Sequence, residues 1–172
     1  MGQLRIPVTE KDYIQGLTTA PITLVEYGDY QCPYCGMAYP QIKRLQQRLG
    51  EQLRFVFRNF PIAQAHPWAE AAAEVAEFAG AHGKFWEMHD RIYEEQRRLD
   101  LNLLLELSRE LGFSDEEFEK VLREGTYREK VKADFLGGVR SGVSATPTFF
   151  INDEKFNGSA ADLENAIRAS LV

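Results

Sequence analysis

Cys32-Pro33-Tyr34-Cys35 holds the only two cysteines of the chain, spaced to lie one turn apart at the head of a helix. A pair so spaced can close a small disulfide. Pro33 suits the first helical position, where the N–H that proline lacks would go unpaired anyway. Cys32 then stands at the positive end of the helix dipole, which favours thiolate over thiol and lowers its pKa below the free value of about 8.5. A partly exposed, low-pKa thiol with a second thiol behind it is the minimal apparatus for thiol–disulfide exchange: one attacks, the other resolves. Zinc is the competing use of such a pair, but it wants four ligands. Two of His66, His82 and His89 would have to converge on the cysteines, and nothing in their spacing argues for that. The expectation is a redox pair with no metal and no cofactor.

The elements that must position the pair are legible around it. The apolar run 22–27 reads as a strand buried on both faces. Within it Glu26, six residues before Cys32, is out of place. Beneath the motif it would be poorly solvated, with a raised pKa, and able to take or give a proton through water during exchange; pointing to solvent from the strand end is the plainer alternative. A helix over 34–49 follows, with Pro40 inside it as a source of a kink and Gly50 as its cap. The alternation over 53–60 is that of a half-buried strand, stopped by Pro61. Strand, helix, strand with a right-handed crossover gives a parallel pair.

Before the first strand, the polar lead 1–21 holds a short helix after Thr9 and packs on the surface. From Ile62 the chain turns wholly helical for about eighty residues. Helices are expected from His66-Pro67 through Ala79, ended by Gly80; over 83–96; from Asp100 or Asn102 to Gly112; from a Ser114/Glu117 capping box to Gly125; and from a Thr126/Glu129 box to Ser141. Strand character returns at 148–152, with a turn at Asp153-Glu154 and a return over 155–157 as an antiparallel hairpin. Ser159 and Asp162 cap a last helix, 160–171. Pro147 at the mouth of a strand gives no ladder bond. A cis Thr146–Pro147 bond would leave the backbone of Thr146 facing outward to pair with an extended peptide, whereas a trans proline would merely begin an edge strand.

The chain has 172 residues, 44% of them hydrophobic, and a net charge of −6. That gives an ample core and no basic footprint for nucleic acid or anionic membranes. No apolar run approaches the roughly 18 residues needed to span a bilayer. The first twenty residues carry Arg5, Glu10, Lys11 and Asp12 with no apolar block, so they do not read as a secretory signal. The expected compartment is the cytoplasm, or an extracytoplasmic space if the sequence lacks its leader.

Cys32-Pro33-Tyr34-Cys35 after a strand, an all-helical stretch, then Gly142-Val-Ser-Ala-Thr-Pro-Thr-Phe-Phe-Ile-Asn152 resembles the DsbA-like branch of the thioredoxin-fold thiol–disulfide oxidoreductases, over about residues 20–172. The resemblance implies an α/β thioredoxin fold with an all-helical insertion between the second motif strand and the C-terminal hairpin. The thioredoxin-fold domain would take 1–61 and 142–172, and the helical domain 62–141. It implies Cys32 as nucleophile, Cys35 as buried resolving thiol, Thr146-Pro147 as the cis-proline loop and Glu26 as the buried acid. His66-Pro67 and the stretch from Phe85 to His89 are also similar to this branch and are assigned structure rather than chemistry. Tyr34 departs from the histidine of strongly oxidising members, and the Pro33-Tyr34 pair is similar to that of glutaredoxins; losing one cation moves the potential toward the middle of a range from about −120 to about −270 mV.

The expected function is exchange of disulfides with protein substrates through a mixed disulfide at Cys32, with a separate redox partner to reset the pair. The alternatives are a cytoplasmic, glutaredoxin-like reductase, and a peptide-binding, chaperone-like module whose disulfide is structural.

Overall fold

The computed structural model describes residues 2–172. Its centre is a five-stranded sheet in the order β1-β3-β2-β4-β5, with β1 Ile14–Gln15, β2 Ile22–Gly28, β3 Leu53–Asn59, β4 Thr148–Ile151 and β5 Glu154–Phe156. β2 is the middle strand, parallel to β3 with Glu26 opposite Phe57, and antiparallel to β4 with Glu26 opposite Phe149. Helix α1, Pro33–Leu49, makes the crossover from β2 to β3. Five helices then lie between β3 and β4: α2 Ala69–Ala81, α3 Phe85–Glu94, α4 Leu101–Glu110, α5 Asp115–Glu124 and α6 Arg128–Arg140. Helix α7, Leu163–Ser170, closes the chain. This is an α/β thioredoxin fold carrying a helical insertion. Among the described residues, no helix is long and apolar enough to cross a membrane.

β3 is covered on both faces rather than half-buried. Phe55 and Phe57 enter the large core on one side and Val56 the smaller one on the other. Arg58, on the face that a half-buried strand would leave to solvent, is only 3% exposed. Its guanidinium is held by both carboxylate oxygens of Asp12 at 2.9 and 3.0 Å, and donates to the carbonyls of Ile6 and Pro7 and to the Tyr27 hydroxyl. That anchorage also displaces the short helix expected after Thr9. Asp12 is committed to Arg58 and to the Thr9 N–H, and its own N–H closes a single turn on the Thr9 carbonyl at 3.0 Å before Ile14 pairs with Val56. The lead is therefore built into the fold: Leu4 N–H donates to the Asp153 carbonyl at 2.8 Å, and Gln3 bridges to Glu154.

Helix limits in the insertion differ from expectation where side chains from elsewhere intervene. α2 starts at Ala69 because His66 is drawn to Asp29 and the Trp68 N–H to Gln31 Oε1, at 2.7 Å each. It runs through Gly80, whose bare Cα lies against the Tyr13 ring where a Cβ would collide. α3 is shorter than 83–96, and residues Gln96–Arg98 form a separate 3-10 turn. Asp100 caps α4 through the Leu103 N–H, and the Ser114/Glu117 box caps α5. The Thr126/Glu129 box does not form. Gly125 adopts the left-handed conformation that ends α5, and Thr126 N–H closes back on the Val121 carbonyl, so Thr126 belongs to the preceding helix. The hairpin turn is Asn152-Asp153, one residue earlier than read; their φ of 46° and 72° make the primed turn that matches strand twist. Ser159 and Asp162 form their box on a 3-10 turn leading into α7.

One apolar cluster runs from the sheet (Leu24, Phe57) through α1 (Ile42) into α2, α3 and α4 (Phe78, Met88, Leu104). The buried face of α2 is mostly alanine, Ala72, Ala73, Ala76 and Ala79, which lets its backbone approach closely. The insertion and the sheet thus share a core, and the residues of the insertion nearest the end of β2 meet the cysteine motif.

Candidate active site

β2 ends at Gly28, where a Cβ would strike the Phe57 ring, and the chain turns through Asp29-Tyr30-Gln31 into α1. Asp29 holds that turn from inside. Its side chain has no solvent exposure. Oδ1 accepts from the N–H groups of Gln31 and Cys32 at 2.8 and 3.2 Å; Oδ2 accepts from Ile62 N–H at 2.8 Å and meets His66 Nδ1 at 2.7 Å. Cys32 is the N-cap of α1 with extended backbone, Pro33 is the first helical residue, and no side chain caps the helix. The cap position is left to the Cys32 sulfur.

Both cysteines are free thiols. Cys35 is fully buried, with the Asp29 N–H 3.5 Å from its sulfur. Cys32, expected to be partly exposed, is 4% exposed, and its sulfur lies 3.6 Å from the Thr146 carbonyl oxygen. The Cys35 thiol, donating to the Cys32 sulfur, is the largest influence on it; burial opposes, while the Thr146 side chain and the N–H groups of Cys35 and Tyr34 add to the stabilisation. Together they bring the Cys32 thiol down to about 5. Thr146 Oγ1 is buried with no partner at hydrogen-bond geometry, so its proton is available to a Cys32 thiolate. Burial, the bond to Cys32 and the nearby Glu26 push Cys35 the other way, well above its ordinary range.

Glu26 faces inward. It is 3% exposed, and its Oε2 finds no hydrogen-bond partner. Burial first, then the charge of Cys32, raise its carboxyl to about 8. The Thr146–Pro147 bond is cis. On α1, Tyr34 and Met37 are 70% and 65% exposed and, with Thr146, Pro147, Phe149 and Ala160, line a cleft of about 320 Å³ beside the motif.

What the insertion contributes was not legible from local pattern. Gln96 Nε2 donates to the carbonyls of Tyr30 and Cys32 at 2.9 and 2.8 Å, Tyr93 hydroxyl donates to the Asp29 carbonyl at 3.4 Å, and Tyr30 hydroxyl pairs with His89 Nδ1 at 2.9 Å. Burial keeps His89 neutral by lowering its pKa well below the ordinary value. His82 turns to the Phe78 carbonyl. The three histidines considered as zinc ligands are thus engaged with three different partners. The signal that was available was Asp29 itself, an aspartate at a strand end whose short carboxylate suits a turn of this kind.

A family model described as thioredoxin matches residues 8–169. The chain belongs to that family, on its DsbA-like side. This DsbA-like chain superposes on the oxidised form of BdbD from Bacillus subtilis with a TM-score of 0.83, at 25% identity over 99% of this chain and 96% of that one. MdbA from Corynebacterium diphtheriae, a thiol-disulfide oxidoreductase, shares the fold with a TM-score of 0.73, at 17% identity over 96% and 92%. Among curated sequences it is 40% identical over 157 residues to the Na(+)/H(+) antiporter NhaA 1 of Salinispora arenicola, covering 91% of this chain and 24% of that protein. The chain spans about a quarter of the length of the curated relatives it matches. The DsbA-like chain carries Cys32 and Cys35 as its thiol pair.

Proposed function

We propose that the protein donates disulfides to protein thiols, through a mixed disulfide on Cys32. The observation that carries this reading is the convergence of donors on the Cys32 sulfur at the head of α1, which brings that thiol down to about 5. A thiolate stabilised in this way favours the dithiol form of the pair, so the disulfide form gives up its bond readily. It does so without a cation between the cysteines, where Tyr34 stands.

In the forward step a substrate thiolate attacks the Cys32 sulfur. The Cys32–Cys35 bond breaks, a substrate–Cys32 disulfide forms, and Cys35 leaves with the electron pair. Cys35 holds a proton tightly, so its departure is completed by protonation; Glu26, buried below with its carboxyl near 8, is the acid that supplies the proton through water. A second substrate thiolate then attacks the substrate sulfur of the mixed disulfide. The substrate leaves oxidised, and Cys32 departs as the stable thiolate that a good leaving group requires. The substrate chain lies extended along the cis-proline loop, in the cleft under Tyr34 and Met37, paired with the backbone of Thr146. A redox partner then takes the two electrons from the dithiol. Donation of disulfides belongs to an oxidising compartment, and this reading replaces the cytoplasmic one.

The test is the equilibrium potential of the pair in glutathione buffers, with the Cys32 thiolate followed by its ultraviolet absorbance. A potential above the glutathione range with a midpoint near 5 supports donation. A potential near or below about −230 mV with a midpoint near 7 makes the protein a reductase. Cys35→Ser separates the mechanism from the direction: it accumulates a mixed disulfide at Cys32 if Cys32 is the exchanging thiol.

A further inference from the structure

Asp29 and His66 form a pair that the exchange chemistry above does not use. Asp29 has no exposed side-chain surface, His66 is 19% exposed, and their atoms lie 2.7 Å apart. Four donors surround this one carboxylate, and each fixes a different piece of the site. The Gln31 and Cys32 N–H groups belong to the turn and the motif, while Ile62 N–H and His66 come from the segment leading out of β3. The backbone of Asp29 completes the arrangement, with its N–H directed at Cys35 Sγ and its carbonyl accepting from Cys32 N–H at 3.1 Å. A single residue therefore contacts both halves of the cysteine motif. Of the four donors to its carboxylate, His66 is the only side chain.

We infer that His66 is a positioning residue for the redox pair, acting through Asp29 to hold the head of α1 and to neutralise the carboxylate that sits one hydrogen bond from Cys32. A buried carboxylate is tolerated when donors draw off its charge. With the His66 donor removed, Oδ2 keeps only the Ile62 N–H, and the uncompensated charge beside Cys32 opposes its thiolate. The dithiol form is then less favoured, and the disulfide becomes a weaker oxidant. The inference rests on Cys32 being the exchanging thiol; alkylation of the unsubstituted protein at low pH, read at Cys32 by peptide mass, tests that point separately.

The experiment compares the unsubstituted protein with His66→Ala and His66→Gln. Three quantities are read: the midpoint of Cys32 thiolate absorbance, the equilibrium constant against glutathione, and the thermal midpoints of the dithiol and disulfide forms. The expected result for His66→Ala is a higher Cys32 midpoint and an equilibrium constant shifted by about three- to tenfold toward a weaker oxidant, tenfold being about 30 mV for a two-electron couple. The dithiol form should lose more stability than the disulfide form. His66→Gln, which restores an N–H donor, should recover most of the shift. If His66→Ala does not fold, His66→Phe, which keeps a ring without the N–H, is read in the same way. Equal loss of stability in both forms with an unchanged midpoint and equilibrium constant would overturn the inference and leave His66 a loop anchor. Failure of His66→Gln to recover the shift would overturn it as well.

Discussion

Gln96 Nε2 lies 2.8 Å from the Cys32 carbonyl oxygen, so a side chain just beyond α3 closes directly on the first residue of the cysteine motif. The same nitrogen reaches the Tyr30 carbonyl at 2.9 Å, bridging the turn before the helix and the helix cap with one amide. That approach is possible because Gly36, one turn into α1, offers no Cβ; one placed there would run into the Gln96 side-chain amide.

Gly36→Ala should therefore act through Gln96. The amide swings out to make room and loses both carbonyls, at a cost of about 1–2 kcal/mol in urea unfolding. Oxidation of a reduced model peptide should slow several-fold. Gln96→Ala in place of Gly36→Ala should give a similar loss, and combining the two should add little, because they remove the same bonds.

Glu26→Gln tests the buried acid through pH. Because the folded-state carboxyl titrates near 8, against 4.5 for the ordinary group, the folded protein holds an extra proton between those values. Stability is therefore lost as pH rises from about 4.5 to about 8, by up to about 3 kcal/mol at pH 7. Unfolding curves of the dithiol protein should show this decline, and Glu26→Gln should flatten it. The release of Cys35 in single-turnover oxidation should also slow in the variant and lose its dependence on pH near 8.

Asp12→Ala strands the Arg58 guanidinium in the interior with only neutral acceptors. Removing one partner of a buried ion pair costs about 3–5 kcal/mol, and the loss should appear in the denaturant midpoint. The Arg58 bond holds the Asp12 carboxyl below its ordinary range despite burial, so the pair's contribution falls away as pH drops through that lowered value. The Cys32 thiolate midpoint should stay where it is.

Ser114→Ala removes the capping box of α5, an exposed feature with no contact to the motif. About 1 kcal/mol of stability should go, with the redox equilibrium unchanged. An altered equilibrium constant in this variant would mean that the insertion and the thiol pair are coupled more broadly than the contacts at Asp29, Cys32 and Tyr30 describe.

What could be read from the sequence was what local pattern encodes. The cysteine pair, Pro33, the strand under Glu26, the α5 cap and the last helix all follow from neighbours a few residues apart. Pro147 became legible as a cis residue only through resemblance, because nothing nearby distinguishes it from a proline at a strand edge. The residues that escaped are those whose partners lie far along the chain: His66 is 37 positions from Asp29, Gln96 is 64 from Cys32, and Arg58 is 46 from Asp12. Arg58 shows the failure most plainly. Its place in the alternation of β3 reads as solvent-facing until the lead peptide folds over it, and the same lead, read as a helix, is held to a single turn by that arginine.

Both tryptophans of the chain, Trp68 and Trp86, fall between β3 and β4, and the Trp86 indole packs against the Phe55 ring of β3 with centroids 5.7 Å apart. Since the apolar cluster passes without interruption from that strand into the helices, the helical segment has no melting transition of its own. Intrinsic fluorescence, although it originates outside the redox sheet, should report cooperative loss of the whole molecule, and its midpoint should coincide with that of far-ultraviolet dichroism.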